Sequence, residues 1–182
     1  MKSDQRQAVL LELIDQLRKH DSWSGETHIQ KATYFLQELL DVPLDFNFIF
    51  YSYGPYSFDL NDALTALRCD QLLNVKPRDP YGATLLLSER ARGFLGRFPK
   101  TRKTYEEAIR FVAKKLGDKK VADLERLATA LFVQIQSPNT TMGKQAKEIH
   151  RLKPHVSLEE AQEALASVNE MRTGLGQLIE SD

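Results

Sequence analysis

The residues able to carry chemistry are few, and their spacing does not assemble them into a reactive group. The four histidines, His20, His28, His150 and His155, lack the i, i+4 separation that puts two imidazoles on one helix face for zinc, and the close spacings of zinc modules are missing too. His150 and His155 straddle Pro154, which works against a shared helical face. Cys69 is the lone cysteine; it follows a run of helical core positions and reads as a small buried residue rather than a nucleophile. Ser57 stands in Gly-Pro-Tyr-Ser-Phe, without the second glycine of a nucleophile elbow, and a helix-capping role accounts for it. Asp59 and Asp62 lie one turn apart, as a pair for metal or acid–base work would, but both fall near a helix N-terminus, where the dipole already favours carboxylates. Gly174-Leu175-Gly176 follows no strand and opens no helix of useful length, unlike a dinucleotide loop. The expectation is a protein without catalytic residues, metal or cofactor.

What the residue types do support is binding, by one of two constellations. The first gathers Tyr53 and Tyr56 beside Gly54-Pro55, together with Lys76, Arg78 and Tyr81 of a predicted wing. Tyrosine and arginine are enriched where binding energy concentrates, because a ring buries much area while freezing few torsions. The packing alternative is that Tyr51, Tyr53 and Tyr56 only seal a corner. The second constellation is cationic and would hold duplex DNA. Its base-reading candidates are Asn61, Thr65 and Arg68 on the third helix; its phosphate candidates are Arg102, Lys103, Lys114, Lys115, Lys119 and Lys120, with Lys144, Lys147 and Arg151 further on. Between Arg97 and Lys120 nine basic residues meet three acidic ones, whereas Met1 to Pro99 carries 11 basic against 13 acidic. The third helix itself brings Asp59 and Asp62 toward any phosphate, which weighs against groove reading.

The elements that must position these groups follow from apolar periodicity. Val9, Leu10, Leu13, Ile14 and Leu17 predict a helix over 4–19, and Ile29, Ala32, Thr33, Leu36 and Leu40 a second one ending near Asp41. Phe46, Phe48 and Phe50 alternate with their neighbours, as in a strand against a core. Gly54-Pro55 makes a corner and Ser57 caps a third helix with Leu60, Leu64 and Leu67 inward, burying them with Phe48 and Phe50. A short strand over 72–76, turn formers from Pro77 to Gly82, and a return strand over 83–87 predict a hairpin, after which Ser88 opens a short helix. Beyond Pro99 only helices follow: stripes at Ala108, Ile109, Val112 and Leu116, then from Val121 to Ile135, a helix over 142–152, and a last one opened by the Ser157/Glu160 capping box. The expected class is α+β, mainly helical. A winged-helix-like domain over 1–99, with a three-stranded sheet including the wing, precedes a helical bundle over 100–182 packed on the first.

The strings His28-Ile29-Gln30-Lys31-Ala32-Thr33-Tyr34-Phe35-Leu36 and Phe48 to Ser57, ending Tyr53-Gly54-Pro55-Tyr56-Ser57, resemble the YwgA-like family of prokaryotic winged-helix proteins. That family is distantly similar to the SocA-like (Panacea) antitoxin domain. The resemblance continues in Leu124 to Thr129 and in Leu152-Lys153-Pro154 before Ser157 to Glu160, so it spans most of the chain. Tyr56 stands where the Panacea form commonly has valine, which places the chain nearer the YwgA side. The resemblance implies a prokaryotic source and a winged-helix fold rather than an established activity; relatives often occur beside toxin or phage-defence genes.

Composition bounds the rest. The chain has 182 residues, 42% hydrophobic and 27% charged, with 25 basic and 25 acidic residues, so the global field of a non-specific DNA coater is missing. A single cysteine points to a reducing compartment, no signal peptide is legible, and no apolar run approaches the roughly 20 residues of a membrane span. The expected protein is a cytoplasmic, non-catalytic adaptor or antitoxin-type module with a protein partner and no membrane. A DNA-binding transcriptional regulator is the alternative, an enzyme with a site invisible in the sequence a third reading, and a homodimer is compatible with each.

Overall fold

The computed structural model describes residues 1–179, with side chains to Gly174 apart from that of Tyr81. Its elements run α1 (Ser3–Lys19), α2 (Glu26–Glu38), β1 (Ile49–Tyr51), β2 (Gly54–Tyr56), α3 (Phe58–Cys69), β3 (Leu73–Arg78), β4 (Tyr81–Leu87), α4 (Glu89–Gly96), α5 (Pro99–Leu116), α6 (Val121–Gln136), α7 (Met142–Leu152) and α8 (Leu158–Ile179). The class is therefore α+β and mostly helical, with small antiparallel sheets. Local chemistry explains the boundaries: Ser57 Oγ accepts from the Leu60 amide at 3.2 Å and Ser88 Oγ from the Ala91 amide at 3.3 Å, each quenching an orphan donor of a first turn. Ser157 and Glu160 make the reciprocal capping box at 3.1 and 2.9 Å. Gly174 to Gly176 lie inside α8.

The three-stranded sheet is not formed by the described residues. They make two separate two-stranded sheets, β1–β2 and β3–β4. The chain reverses at Ser52-Tyr53, so β1 finds its partner immediately in β2, pairing Ile49 with Tyr56 and Tyr51 with Gly54, and it does not join the longer hairpin. The expected strand is also shorter. Phe46 is buried outside it, while Phe48 meets the Tyr34 ring edge-on at 5.0 Å and Phe50 meets Phe132 at 5.0 Å. The alternation was real, since Ile49 and Tyr51 point outward. Leu60, Leu64 and Leu67 are fully buried, but Phe48 and Phe50 are only half-buried. The β3–β4 hairpin exceeds the expected strands, closing at Asp79-Pro80.

One hydrophobic core runs through the molecule and draws on residues on both sides of Pro99. α1 lies along α5, α2 along α6, and α6 and α7 against α8. α2 sits at the centre: every residue from His28 to Leu36 is buried, so the helix expected to be amphipathic is enclosed on all sides. At its start His28 Nε2 is 2.8 Å from the Leu116 carbonyl oxygen, where α5 ends. Val121 and Ile135, expected inward, are exposed at the ends of α6, and Cys69, expected in the core, is exposed at the end of α3. One turn suffices to rotate a terminal residue off the buried stripe.

Candidate docking surface

The Gly54-Pro55 segment is the second strand of the tight β1–β2 hairpin, and its underside is held by buried charge. Lys31, 1% exposed in the middle of α2, donates from Nζ to the Pro55 carbonyl oxygen at 2.7 Å. Lys153, at the C-terminal cap of α7, donates to the Ser52 carbonyl and pairs with Glu125 of α6. All three side chains are buried. Burial pushes the Lys31 ammonium down to about 8; the Glu125 charge opposes that and the Lys153 charge adds to it. Two ammonium groups thus face one carboxylate, and the hairpin carbonyls disperse the surplus positive charge. The neighbouring Gln30 grips the next residue twice, donating to the Ser57 carbonyl at 2.8 Å and accepting from its amide at 3.0 Å.

Gly54 is required here. Its φ is +82°, and a Cβ would stand 3.1 Å from Thr129 Oγ1, which already donates to the Glu125 carbonyl at 2.7 Å. A side chain would meet both backbone strain and a fixed neighbour. The hairpin is therefore pressed against α2, α6 and the end of α7 by contacts between residues more than twenty positions apart. A lysine with a lowered pKa is the kind of group that can act as a base or nucleophile; sealed from solvent and bonded to a carbonyl, Lys31 acts as an anchor.

The outer face is the reverse in character. Tyr51 is 52% exposed, Tyr53 65% and Phe58 52%, with Ile49 beside them. Tyr51, Tyr56 and Phe58 form a mutual ring cluster, with centroids 5.9, 5.7 and 5.1 Å apart. The Tyr56 hydroxyl donates to Glu26 Oε1 at 3.1 Å, tying the cluster to the start of α2. Tyr56 thus belongs to a ring cluster whose other members are Tyr51 and Phe58, while Tyr53 stands exposed in the turn between β1 and β2. Lys76 and Arg78 gather elsewhere: they line a groove with Arg18, Asp21 and Trp23, and the Arg78 guanidinium stacks on the Trp23 ring. The side chain of Tyr81 lies outside the described residues.

Of the cationic candidates, Lys114, Lys115 and Lys119 line one groove, which they share with Asp118 and Glu170. Arg68 folds back on its own helix, donating to the Leu64 carbonyl at 3.2 Å and to Thr65 Oγ1 at 2.8 Å, and Asn61 is half-buried. The exposed turns of α3 instead present Phe58, Asp59 and Asp62. Arg102 pairs with Glu12 at 2.8 Å, Arg151 with Glu148 at 2.7 Å and Lys119 with Asp118 at 3.3 Å. Lys103, Lys114, Lys115 and Lys120 are exposed around α5 and the start of α6, and Lys144 and Lys147 on α7. Among the described residues no group of three or more His, Cys, Asp or Glu side chains is placed to hold a metal ion, and no helix is long and apolar enough to cross a membrane.

Sequence reading missed Lys31, Glu125 and Lys153 as a unit, and missed Tyr51, Phe58 and Trp23 as surface. No local signal pairs the three ionic residues, because Lys31 lies on α2, Glu125 on α6 and Lys153 at the end of α7. Compared with known proteins, the chain matches no family model and none of the curated sequences.

Proposed function

We propose that the protein is a non-catalytic interaction module that binds a partner protein through the outer face of the β1–β2 hairpin. In this reading it is a YwgA-like member of the winged-helix group, distantly similar to the SocA-like antitoxin domain, and acts in the prokaryotic cytoplasm as an adaptor or antitoxin-type component of a toxin–antitoxin or phage-defence system. The observation that carries it is the pairing of two opposite faces at one short hairpin: the exposed rings of Tyr51 and Tyr53, with Phe58 from the start of α3, above, and a buried ionic anchor below. Leaving a phenylalanine outside the core forgoes about 1.5–3 kcal/mol of burial. Immobilising such rings in advance lowers the entropic cost of docking. Tyr51→Ala and Tyr53→Ala, in pull-downs from the native host followed by identification of the captured protein, should lose the partner while melting like the parent. Retention of the partner by both variants sinks the reading.

The runner-up is a DNA-binding transcriptional regulator, supported by the exposed Lys103, Lys114, Lys115, Lys144 and Lys147. On that reading duplex affinity falls steeply with salt, and Lys114→Glu with Lys115→Glu weakens binding across all sequences alike. Absent or salt-independent binding at low ionic strength removes it.

A further inference from the structure

The aromatic platform is ringed by carboxylates. Glu26 accepts from the Tyr56 hydroxyl. Asp59 and Asp62 are exposed one turn apart on α3, the helix that Phe58 begins. Among the described residues none of these three carboxylates takes part in an ion pair, although the chain carries 25 lysines and arginines. The field of Glu26 and Asp62 reaches the rings: the Tyr56 hydroxyl is made harder to ionise first by burial, then by the charge and hydrogen bond of Glu26, and also by the charge of Asp62. The faces of tyrosine and phenylalanine add the negative side of their quadrupoles. Phosphate and carboxylate are repelled by such a surface. A guanidinium is drawn to it twice over, since it can stack on a ring and fork toward a carboxylate with the same planar group.

We propose that the occupant of this platform is an arginine-bearing segment of a partner protein, its guanidinium set on the Tyr51 and Phe58 rings, whose centroids are 5.7 Å apart, within reach of Asp59 and Asp62 and its apolar neighbours against Ile49. This rests on the docking reading given above and adds the chemistry of the partner. The complementarity is between charges as well as shapes: Glu26, Asp59 and Asp62 hold no ion pair among the described residues, which leaves these acids around the hairpin for an external cation. Charge arrangement of this kind selects partners and speeds encounter more than it deepens affinity.

The test is an amide-resolved NMR titration of the full chain with a decapeptide alternating arginine and leucine, beside versions carrying glutamine or glutamate in place of arginine, and a ten-nucleotide single-stranded oligothymidine. The arginine peptide should shift the amides of Ile49 to Asp62 and bind roughly tenfold more tightly than the glutamine peptide, the combined size of one ring–cation contact and one exposed ion pair. Asp59→Asn combined with Asp62→Asn should cut that advantage to the roughly threefold left by the ring–cation contact and leave the glutamine peptide unchanged, with the melting temperature checked in parallel. Equal binding of the arginine and glutamine peptides at these amides overturns the inference while leaving the docking reading in place. Preference for the glutamate peptide or the oligonucleotide, or no shift there with any peptide, overturns it as well; loss or retention of the native partner by the Tyr51→Ala and Tyr53→Ala variants then decides the docking reading separately. Concentration-dependent dimerisation that the two asparagine substitutions abolish would assign the platform to a second copy of the chain and likewise overturn it.

Discussion

The two hairpins of this protein are built alike and held differently. β3–β4 has strands of six and seven residues, sends Leu73 and Leu85 into the core, and carries Lys76 and Arg78 toward its tip. Apolar burial at the base secures it, in the ordinary manner of a hairpin with one packed face. β1–β2 has only three residues per strand, too few to be stable by pairing alone. Its hold comes from beneath, from Lys31, Gln30 and Lys153 bonded to its carbonyls and those adjoining it. Because backbone groups are what is gripped, Tyr51, Tyr53 and Phe58 are released from any structural duty and can face outward. The comparison teaches that a short segment presents a rigid surface when polar anchors reach its main chain from helices distant in sequence.

The comparison breaks most severely if the anchor is left with unbalanced charge. Glu125→Ala abandons two buried ammonium groups and should cost about 3–5 kcal/mol, read as a lower urea midpoint; a change below about 1 kcal/mol would mean that water compensates the pair. The next effect is pH-dependent. Lys31 titrates at about 8 when folded against 10.5 for an ordinary lysine, so between those values the unfolded chain binds more protons. Its contribution to stability therefore rises with pH across that window, by about 3 kcal/mol in all, and is unchanged well below it. The difference between the parent and Lys31→Met, measured by denaturant titration from pH 7 to 10.5, isolates this slope, and parallel curves would show that the ammonium is solvated.

Gly54→Ala should cost about 1–3 kcal/mol, the strain of a positive φ in a non-glycine residue together with the approach to Thr129. In the second hairpin no comparable position exists at Gly82, where a Cβ would meet nothing within 4 Å, so Gly82→Ala serves as the control; equal losses at both would dissolve the contrast. The smallest effect sharpens it from the other side. Tyr53→Ala should shift stability by less than about 0.5 kcal/mol, because its side chain is mostly exposed, and a larger loss by thermal melting would make that ring part of the fold.

By itself the sequence determined the helices, their caps and much of the core. Ser57, Ser88 and the Ser157/Glu160 box announce helix starts because an orphan amide is satisfied within three residues, and the stripes of α1, α3 and α8 follow from a period that needs no tertiary information. The alternation that turns Ile49 and Tyr51 outward was legible for the same local reason, whereas Gly54-Pro55, expected as a corner, is strand β2. Only the tertiary structure decided that α2 would be enclosed on every side, which makes Gln30 and Lys31 the grip on the first hairpin. It alone brought Lys31 to Glu125 and Lys153, and it divided Tyr53 and Tyr56 from Lys76 and Arg78 by giving each hairpin its own neighbours. Periodicity specifies which face of an element is apolar, whereas the partner of a buried polar atom depends on which distant segment arrives beside it. Here those segments lie up to about a hundred residues apart, as Lys153 and Ser52 do, and no pattern within a window of the chain encodes that meeting.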